Sequence, residues 1–180
     1  MKLTSILILA ATFYALQATA APPANCIECH GEDGIATSSG YPNLAGQHQD
    51  YLVKQLGDFR SGRRSSPFMN IVAAKISESE LTGIAAYFAG QQSNAAAHSG
   101  VDTSAHKLYQ AACASCHGAD AKGAGLVPAL RGQTMFYLRE QLLNWRLGQR
   151  NNSPGRVMNQ AADALSDADI DALARYLSLL

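Results

Sequence analysis

Two pentapeptides decide how this sequence folds: Cys26-Ile27-Glu28-Cys29-His30 and Cys113-Ala114-Ser115-Cys116-His117. They contain all four cysteines of the 180-residue chain and begin 87 positions apart. Covalent attachment of a c-type haem needs two thiols, one per vinyl group, and a neighbouring imidazole that binds iron. The pattern therefore predicts two covalent haem c groups, one at Cys26 and Cys29 and one at Cys113 and Cys116. The iron ligands expected beside them are His30 and His117.

Three other interpretations of the cysteines compete with haem attachment. A single zinc site would draw four thiolates, or two thiolates and two imidazoles, from both pentapeptides; their separation along the chain disfavours it. A thioredoxin-like redox pair expects a βαβ context, which the sequence lacks. Two disulfides are common in exported proteins with four cysteines, but they would leave both adjacent histidines without a role.

The similarity between the two halves continues beyond the pentapeptides and indicates an internal duplication. The recurring segments are Tyr41–Gln47 with Val127–Gln133, Tyr51–Leu52 with Tyr137–Leu138, Gln55–Leu56 with Gln141–Leu142, and Phe59–Arg60 with Trp145–Arg146. Two copies predict two homologous domains, at residues 21–90 and 105–180. Residues 91–104 are rich in Gln, Ser, Asn, Ala and Gly and are predicted to form the linker.

Apolar residues recur with helical periodicity in both halves. Leu52, Leu56 and Phe59 follow at spacings of four and three, and the second half repeats these spacings. A later apolar stripe in each half is preceded by a capping-box pattern, Ser77-x-x-Glu80 and Ser166-x-x-Asp169. Because no strand-like alternation occurs, each half is predicted to be all-α.

The first 20 residues have the organisation of a secretory signal peptide. Lys2 precedes an apolar stretch over residues 3–16, and Ala18-Thr19-Ala20 forms an A-x-A cleavage site. The stretch is shorter than the roughly 20 residues that span a bilayer, which disfavours an uncleaved membrane anchor. An exported protein beginning near Ala21 is expected. Its formal net charge of zero offers no basic field for nucleic acid.

The second axial ligand of each iron is expected from the methionines. Met69 and Met158 each lie eight residues before a capping serine, and this recurrence favours iron ligation over core packing. Met135 is expected to pack, because Gln49 holds the matching position. The other histidines do not recur and are expected at the surface: His48, His98 and His106. His106 stays an alternative ligand, since it lies near the second pentapeptide.

Two further recurring pairs have candidate roles around the haems. Axial imidazoles are normally held by a hydrogen bond from the other ring nitrogen to a carbonyl. Pro42 and Pro128 are candidates to supply that carbonyl, unless they only shape a turn. Arg60 and Arg146 are candidates to neutralise haem propionates, or else they lie on solvated helix faces.

The run from Tyr41 to Arg60, and its repeat from Pro128 to Arg146, resembles cytochrome c4, a family of dihaem class I c-type cytochromes. The resemblance covers nearly all of the chain after residue 20. It implies an all-α fold of two tandem cytochrome c-like domains related by pseudo-twofold symmetry, with His/Met-ligated haems facing each other across the interface. It also implies a periplasmic protein, often membrane-associated, that passes electrons to terminal oxidases.

The expected function is an electron carrier rather than an enzyme, because iron ligated by histidine and methionine has no open position for a substrate. The expected partners are redox proteins, a terminal oxidase or a quinol-oxidising complex. The alternative is a dihaem subunit of a dehydrogenase such as a sulfide-oxidising flavocytochrome c. A dihaem peroxidase or thiosulfate-oxidising enzyme would need an exchangeable iron ligand.

One departure from the family is loop length: Met69 is two residues after Pro67, whereas Met158 is four after Pro154.

Overall fold

The computed structural model describes residues 22–95 and 102–180, so the predicted signal peptide at 1–20 and His98 lie outside the described ranges. The first half contains α1 (Ala24–His30), α2 (Gln49–Arg60), α3 (Met69–Ala73) and α4 (Glu78–Ala89). The second contains α5 (Thr103–Ala112), α6 (Ala114–His117), α7 (Met135–Arg146), α8 (Val157–Asp163) and α9 (Asp167–Ser178), with a 3₁₀ turn at Pro154–Arg156. These ranges hold no β-strand; an isolated bridge pairs Ala124 with Val127. The all-α prediction is confirmed.

The helices repeat in order, with α1 to α4 matching α6 to α9. In each half the last helix packs against the long central helix, α4 on α2 and α9 on α7. The first core contains Leu52, Leu81, Ile84, Ala85 and Phe88, and the second contains Leu138, Ile170, Leu173, Ala174 and Leu177. No helix among the residues described is long and apolar enough to cross a membrane.

Helix α5 has no counterpart among the described residues of the first half. It begins at Thr103, inside the predicted linker, because Asp102 caps it by accepting hydrogen bonds from the amides of Ser104 and Ala105. It packs across α9, where the Tyr109 side chain is fully buried. The second half therefore has one more layer of packing over its last helix than the described part of the first half.

Capping boxes start both final helices. The Ser77 hydroxyl accepts from the Glu80 amide, and the Glu80 carboxylate accepts from the Ser77 amide. Ser166 and Asp169 repeat this arrangement. Each box satisfies two amide donors that the ends of the first turn leave free. The predicted boxes are confirmed, and they fix the point where each methionine-bearing segment joins the last helix.

The two halves pack through a buried polar interface with reciprocal contacts. Arg64 donates to the Tyr137 hydroxyl at 2.9 Å, and Arg150, at the equivalent position, donates to the Tyr51 hydroxyl at 3.1 Å. Each guanidinium also lies over the aromatic ring of the next-to-last residue of its own central helix, Phe59 at 4.5 Å and Trp145 at 4.3 Å. Exchange of equivalent contacts in both directions is the signature of a twofold relation, and the predicted pseudo-twofold arrangement is confirmed.

Candidate haem sites

Each cysteine pair lies beside a histidine that ends a short helix. Cys26 and Cys29 stand three residues apart in α1, a spacing that places side chains on one helix face. In the second half α6 begins directly after Cys113 and contains Cys116. Burial, and then the neighbouring thiol, raises the pKa of Cys26, and the same causes raise the pKa of Cys113 to about 11. The more buried thiol of each pair is therefore neutral at pH 7 and suits an apolar neighbour.

Both imidazoles are held in the same way. His30 Nδ1 lies 3.0 Å from the Pro42 carbonyl oxygen, and His117 Nδ1 lies 3.0 Å from the Pro128 carbonyl oxygen. Because a carbonyl oxygen can only accept, Nδ1 carries the proton and Nε2 keeps its lone pair. Burial lowers the pKa of both histidines, against an opposing effect of these hydrogen bonds. Each ring is a neutral imidazole with Nε2 available to a metal, and the role predicted for the two prolines is confirmed.

The recurring Pro-x-Leu-x-Gly segment fixes these carbonyls in place. The Gly46 amide donates to the Phe88 carbonyl and the Gly132 amide to the Leu177 carbonyl, both at 3.0 Å, which ties each segment to the last helix of its half. Gly132 has a φ of +64°, where glycine is favoured. A Cβ at Gly132 would also lie only 2.8 Å from the Ala95 Cα. Glycine is therefore required where the segment passes under the start of the linker.

The recurring methionines stand at the start of matching helices. Met69 opens α3, Met158 is the second residue of α8, and both are half-buried. The Met69 amide donates to the Ser66 hydroxyl and the Met158 amide to the Ser153 hydroxyl, both at 3.2 Å. Each methionine is thus held by a serine of its own loop, although the loops differ in length.

The longer second loop is accommodated by the 3₁₀ turn before α8. Gly155 has a φ of +59° and Arg156 a φ of +56°, so two successive residues adopt the left-handed conformation. That conformation reverses the chain within a few residues. The extra length is therefore taken up before Met158, and the backbone contact of this methionine matches that of Met69.

Sequence reasoning missed the asparagine that follows each methionine. Asn70 Nδ2 donates to the carbonyls of Phe59 and Arg64 at 2.5 and 2.9 Å. Asn159 repeats both bonds with the equivalent pair, Trp145 and Arg150, at 2.6 and 2.8 Å. These amides tie each methionine helix to the chain just after the central helix. The available signal was the Met-Asn dipeptide itself, which recurs in both halves.

The other ligand candidates have different surroundings. Met135, which was expected to pack, is 42% exposed in the first turn of α7, so that expectation is wrong. His48 contacts the opposite half, with Nε2 2.8 Å from the Lys122 carbonyl oxygen. His106 is exposed on α5, and its Nδ1 lies 2.9 Å from the Tyr176 hydroxyl.

The recurring arginines of the central helices form ion pairs within their own halves. Arg60 binds the Glu78 carboxylate and the Ile76 carbonyl, and Arg146 repeats these contacts with Asp167 and Leu165. Each guanidinium therefore joins the end of a central helix to the start of the last helix. These contacts are a structural role that the sequence did not indicate.

The donor sets fit a covalent haem in each half. Within the described ranges no group of three or more His, Cys, Asp and Glu side chains is placed to hold a metal ion, which counts against the shared zinc site. The four thiols form no disulfide. Each half offers two thiols, a neutral imidazole with Nε2 free and a half-buried thioether, the groups that c-type haem attachment and closed ligation require.

Known proteins similar to this chain have the same organisation. The cytochrome c family model matches residues 17–91 and again residues 103–180. A thiosulfate dehydrogenase electron acceptor of Stutzerimonas stutzeri (strain A1501) is 37% identical, over 85% of this chain and 77% of its own length. Cytochrome c4 of Thiocapsa roseopersicina is 36% identical, over 84% and 85%. The crystal structure of reduced recombinant cytochrome c4 from Pseudomonas stutzeri has a TM-score of 0.77 and 32% identity, over 87% of this chain and 94% of that chain.

Two tandem helical domains, each with its own cysteine pair and adjacent histidine, define a dihaem c-type cytochrome. The chain belongs to the cytochrome c4 family. It accordingly contains two covalently bound haem c groups and is a c4-type electron carrier that exchanges electrons with other redox proteins.

Proposed function

We propose that each half binds its haem through the residues that recur around its cysteine pair. The covalent attachment points are Cys26 and Cys29, and Cys113 and Cys116; the axial pairs are His30 with Met69 and His117 with Met158. The observation that carries this assignment is the matched imidazole, whose Nδ1 is held by a proline carbonyl at 3.0 Å in both halves. A bound haem c supplies a one-electron couple between Fe(III) and Fe(II).

The protein's own residues hold the proposed iron ligands in place and leave no coordination position open. The proline carbonyl sets the ring orientation and tautomer of the imidazole and raises its basicity. The asparagine after each methionine anchors the helix that presents the thioether. Ligation by histidine and methionine leaves no substrate position and raises the reduction potential, which suits a carrier that delivers electrons near the oxidase end of a chain.

The proposed place of this carrier is the periplasm, between a thiosulfate-oxidising dehydrogenase and a terminal oxidase. The relative named as a thiosulfate dehydrogenase electron acceptor supports the donor. The signal-peptide pattern over residues 1–20 supports export. The proposed methionine ligands support an acceptor of high reduction potential, such as a terminal oxidase. A quinol-oxidising complex is the alternative electron donor.

Haem content and electron delivery test this proposal in two steps. Pyridine haemochrome analysis of the purified protein is expected to give two c-type haems per chain, and one or none contradicts the assignment. The oxidised holoprotein is then mixed with thiosulfate and a catalytic amount of thiosulfate dehydrogenase. The α-band of the reduced haems is expected to grow only when thiosulfate and the dehydrogenase are both present. If it does not grow, and a quinol-oxidising complex reduces the protein instead, that complex is the donor.

A permanent dehydrogenase subunit is the second candidate, since the name of the same relative pairs it with one particular dehydrogenase. Purification from the native source separates the two. A stoichiometric complex with a dehydrogenase that survives high salt supports the subunit, and a flavoprotein partner would specify the flavocytochrome. A free dihaem chain supports the mobile carrier.

A further inference from the structure

A pair of buried glutamines connects each half to the loop that holds the other half's axial histidine. The Asn43 amide donates to Gln133 Oε1 at 2.7 Å, and Gln133 Nε2 donates back to the Asn43 carbonyl at 2.9 Å. In the opposite direction the Ala129 amide donates to Gln47 Oε1 at 2.9 Å, and Gln47 Nε2 donates to the Ala129 carbonyl at 3.0 Å. Each glutamine thus clamps both backbone groups of one residue across the interface.

The clamped amide and the acceptor of the imidazole belong to one peptide group. The Pro42 carbonyl accepts from His30 Nδ1, and the nitrogen of that same peptide is the Asn43 amide that donates to Gln133. The second half repeats the arrangement at the Pro128–Ala129 peptide. Because a peptide group is conjugated, donation by its N–H makes its oxygen a better acceptor. A hydrogen-bonded path therefore runs from each glutamine to the opposite imidazole.

The orientation of each glutamine amide is fixed by a further bond. Gln47 Oε1 also accepts from the His48 amide at 3.1 Å, and Gln133 Oε1 accepts from the Thr134 amide at 2.9 Å. A flipped amide would set its NH₂ against two N–H donors and its oxygen against a carbonyl. Both side chains are also buried, at 7% and 8% exposure, so water does not compete for these bonds. Each glutamine can therefore make these hydrogen bonds in only one orientation of its side-chain amide.

We infer that Gln47 and Gln133 are positioning residues that act on the iron ligand of the opposite half. A better carbonyl acceptor strengthens the Nδ1 hydrogen bond and makes the imidazole a stronger donor to iron, which favours Fe(III). Each clamp lowers the reduction potential of the haem in the other half, so the docking of the halves sets both potentials. This inference rests on the proposed axial roles of His30 and His117.

Substitution of each glutamine in the holoprotein tests this inference, because each variant should shift the haem potential of the opposite half. Gln133→Leu is expected to raise the potential of the first-half haem alone, and Gln47→Leu that of the second-half haem alone. The expected size is roughly a threefold change in the reduced-to-oxidised ratio at fixed potential. An NMR-monitored redox titration resolves the two haems, with Met69→Ala and Met158→Ala assigning their signals. Tyr51→Phe is the control, since it removes one bond between the halves and touches neither peptide.

The outcomes separate failure of the clamp from failure of the axial assignment. A shift confined to the variant's own half, equal shifts of both haems, or no shift overturns the clamp. So does unchanged hydrogen exchange of the Asn43 amide in Gln133→Leu, where exchange at least about tenfold faster is expected. Gln133→Met, which retains the side-chain volume, must give the same crossed shift. If the axial assignment itself is wrong, His30→Ala keeps both wild-type haem spectra whatever the glutamine variants do.

Discussion

The two halves of this chain agree around the proposed iron ligands and differ in the scaffold behind them. Both hold the imidazole on a proline carbonyl, the methionine amide on a serine and the following asparagine on two carbonyls. Only the second half has a helix like α5 among the described residues, and its methionine loop is longer. The first half buries Asp58 where the second has Asn144. After duplication, the contacts that position donor atoms stayed alike while packing and charge diverged.

The described part of the first half, which has no helix matching α5, differs from the second half at the turn after the haem motif. In the second half the Tyr109 hydroxyl donates to the Gly118 carbonyl at 2.6 Å, so α5 covers the turn after the haem motif. The corresponding turn, which begins at Gly31, lines an open surface depression of about 580 Å³. Tyr87, at the edge of this depression, is half-buried, whereas the equivalent Tyr176 is only 5% exposed. The described first half therefore has less packing over its last helix.

The largest expected effect tests whether the two methionine loops are equivalent. Met69→Ala and Met158→Ala are each expected to lower the potential of the haem in their own half by on the order of 0.2 V, roughly 4 to 5 kcal/mol per electron. An optical redox titration that follows the Met-to-iron charge-transfer band measures this. Equal shifts support the equivalence of the loops, and unequal shifts break it. Wild-type spectra and potentials in both variants would refute the methionine assignment.

The next effect tests the charge difference between the halves. Asp58 is 1% exposed and accepts hydrogen bonds from Lys54, Arg63 and Asn152. Asp58→Asn is expected to reduce the free energy of unfolding by about 2 kcal/mol, because two cations lose a buried anion. Denaturant unfolding of the holoprotein measures it. The control is Asp167→Asn, which should change the free energy of unfolding far less, because the Asp167 carboxylate is exposed and its pair with Arg146 is screened by solvent.

The stability difference between wild type and Asp58→Asn is expected to depend on pH in a definite direction. Burial raises the pKa of Asp58, but hydrogen bonds from Lys54, Asn152 and Arg63 outweigh it and hold the pKa below its usual range. A carboxyl with a depressed folded-state pKa contributes its stability above the unfolded value, about 3.9, and loses it as the pH falls through the folded-state value. The free energies of unfolding of wild type and Asp58→Asn should differ most at neutral pH, and the difference should shrink only as the pH falls from about 3.9 toward the lower folded-state pKa. A constant difference at all pH values contradicts this origin.

The parts of the molecule that sequence reasoning predicted are those that local pattern determines. The capping box at Ser77 and the recurring proline beside each histidine are short-range features, so their spacing indicated their contacts. Gln47 and Arg64 recur just as clearly, but their partners lie in the opposite half, and a sequence pattern does not state how two domains dock. The exposure of Met135 was missed for the same reason, because periodicity predicts a helix without predicting what covers each face.

A smaller effect compares the stability of the two last helices. Ala85 in α4 and Ala174 in α9 occupy equivalent positions and are both fully buried, which makes their amides a matched pair. Because α5 packs on α9 and no described residue forms a matching helix over α4, exchange at Ala85 is expected to be about tenfold faster than at Ala174, or roughly 1.4 kcal/mol in opening free energy. Native-state hydrogen exchange of the holoprotein measures both. Equal protection of the two amides would contradict the expectation that α5 makes the second half the more stable one.

The smallest effect concerns the extra residues of the second methionine loop. Gly155 has a φ of +59°, and a Cβ built there meets nothing within 4 Å, so only backbone conformation opposes a side chain. Gly155→Ala is expected to destabilise the protein by about 1 kcal/mol. Gly57 also has open space at its Cβ but lies within α2, so Gly57→Ala should stabilise by roughly 0.5 to 1 kcal/mol. Thermal unfolding should therefore give opposite signs. A neutral Gly155→Ala would mean that the left-handed turn does not constrain this loop, and the matched placement of Met158 would then depend on the hydrogen bonds of Ser153 and Asn159.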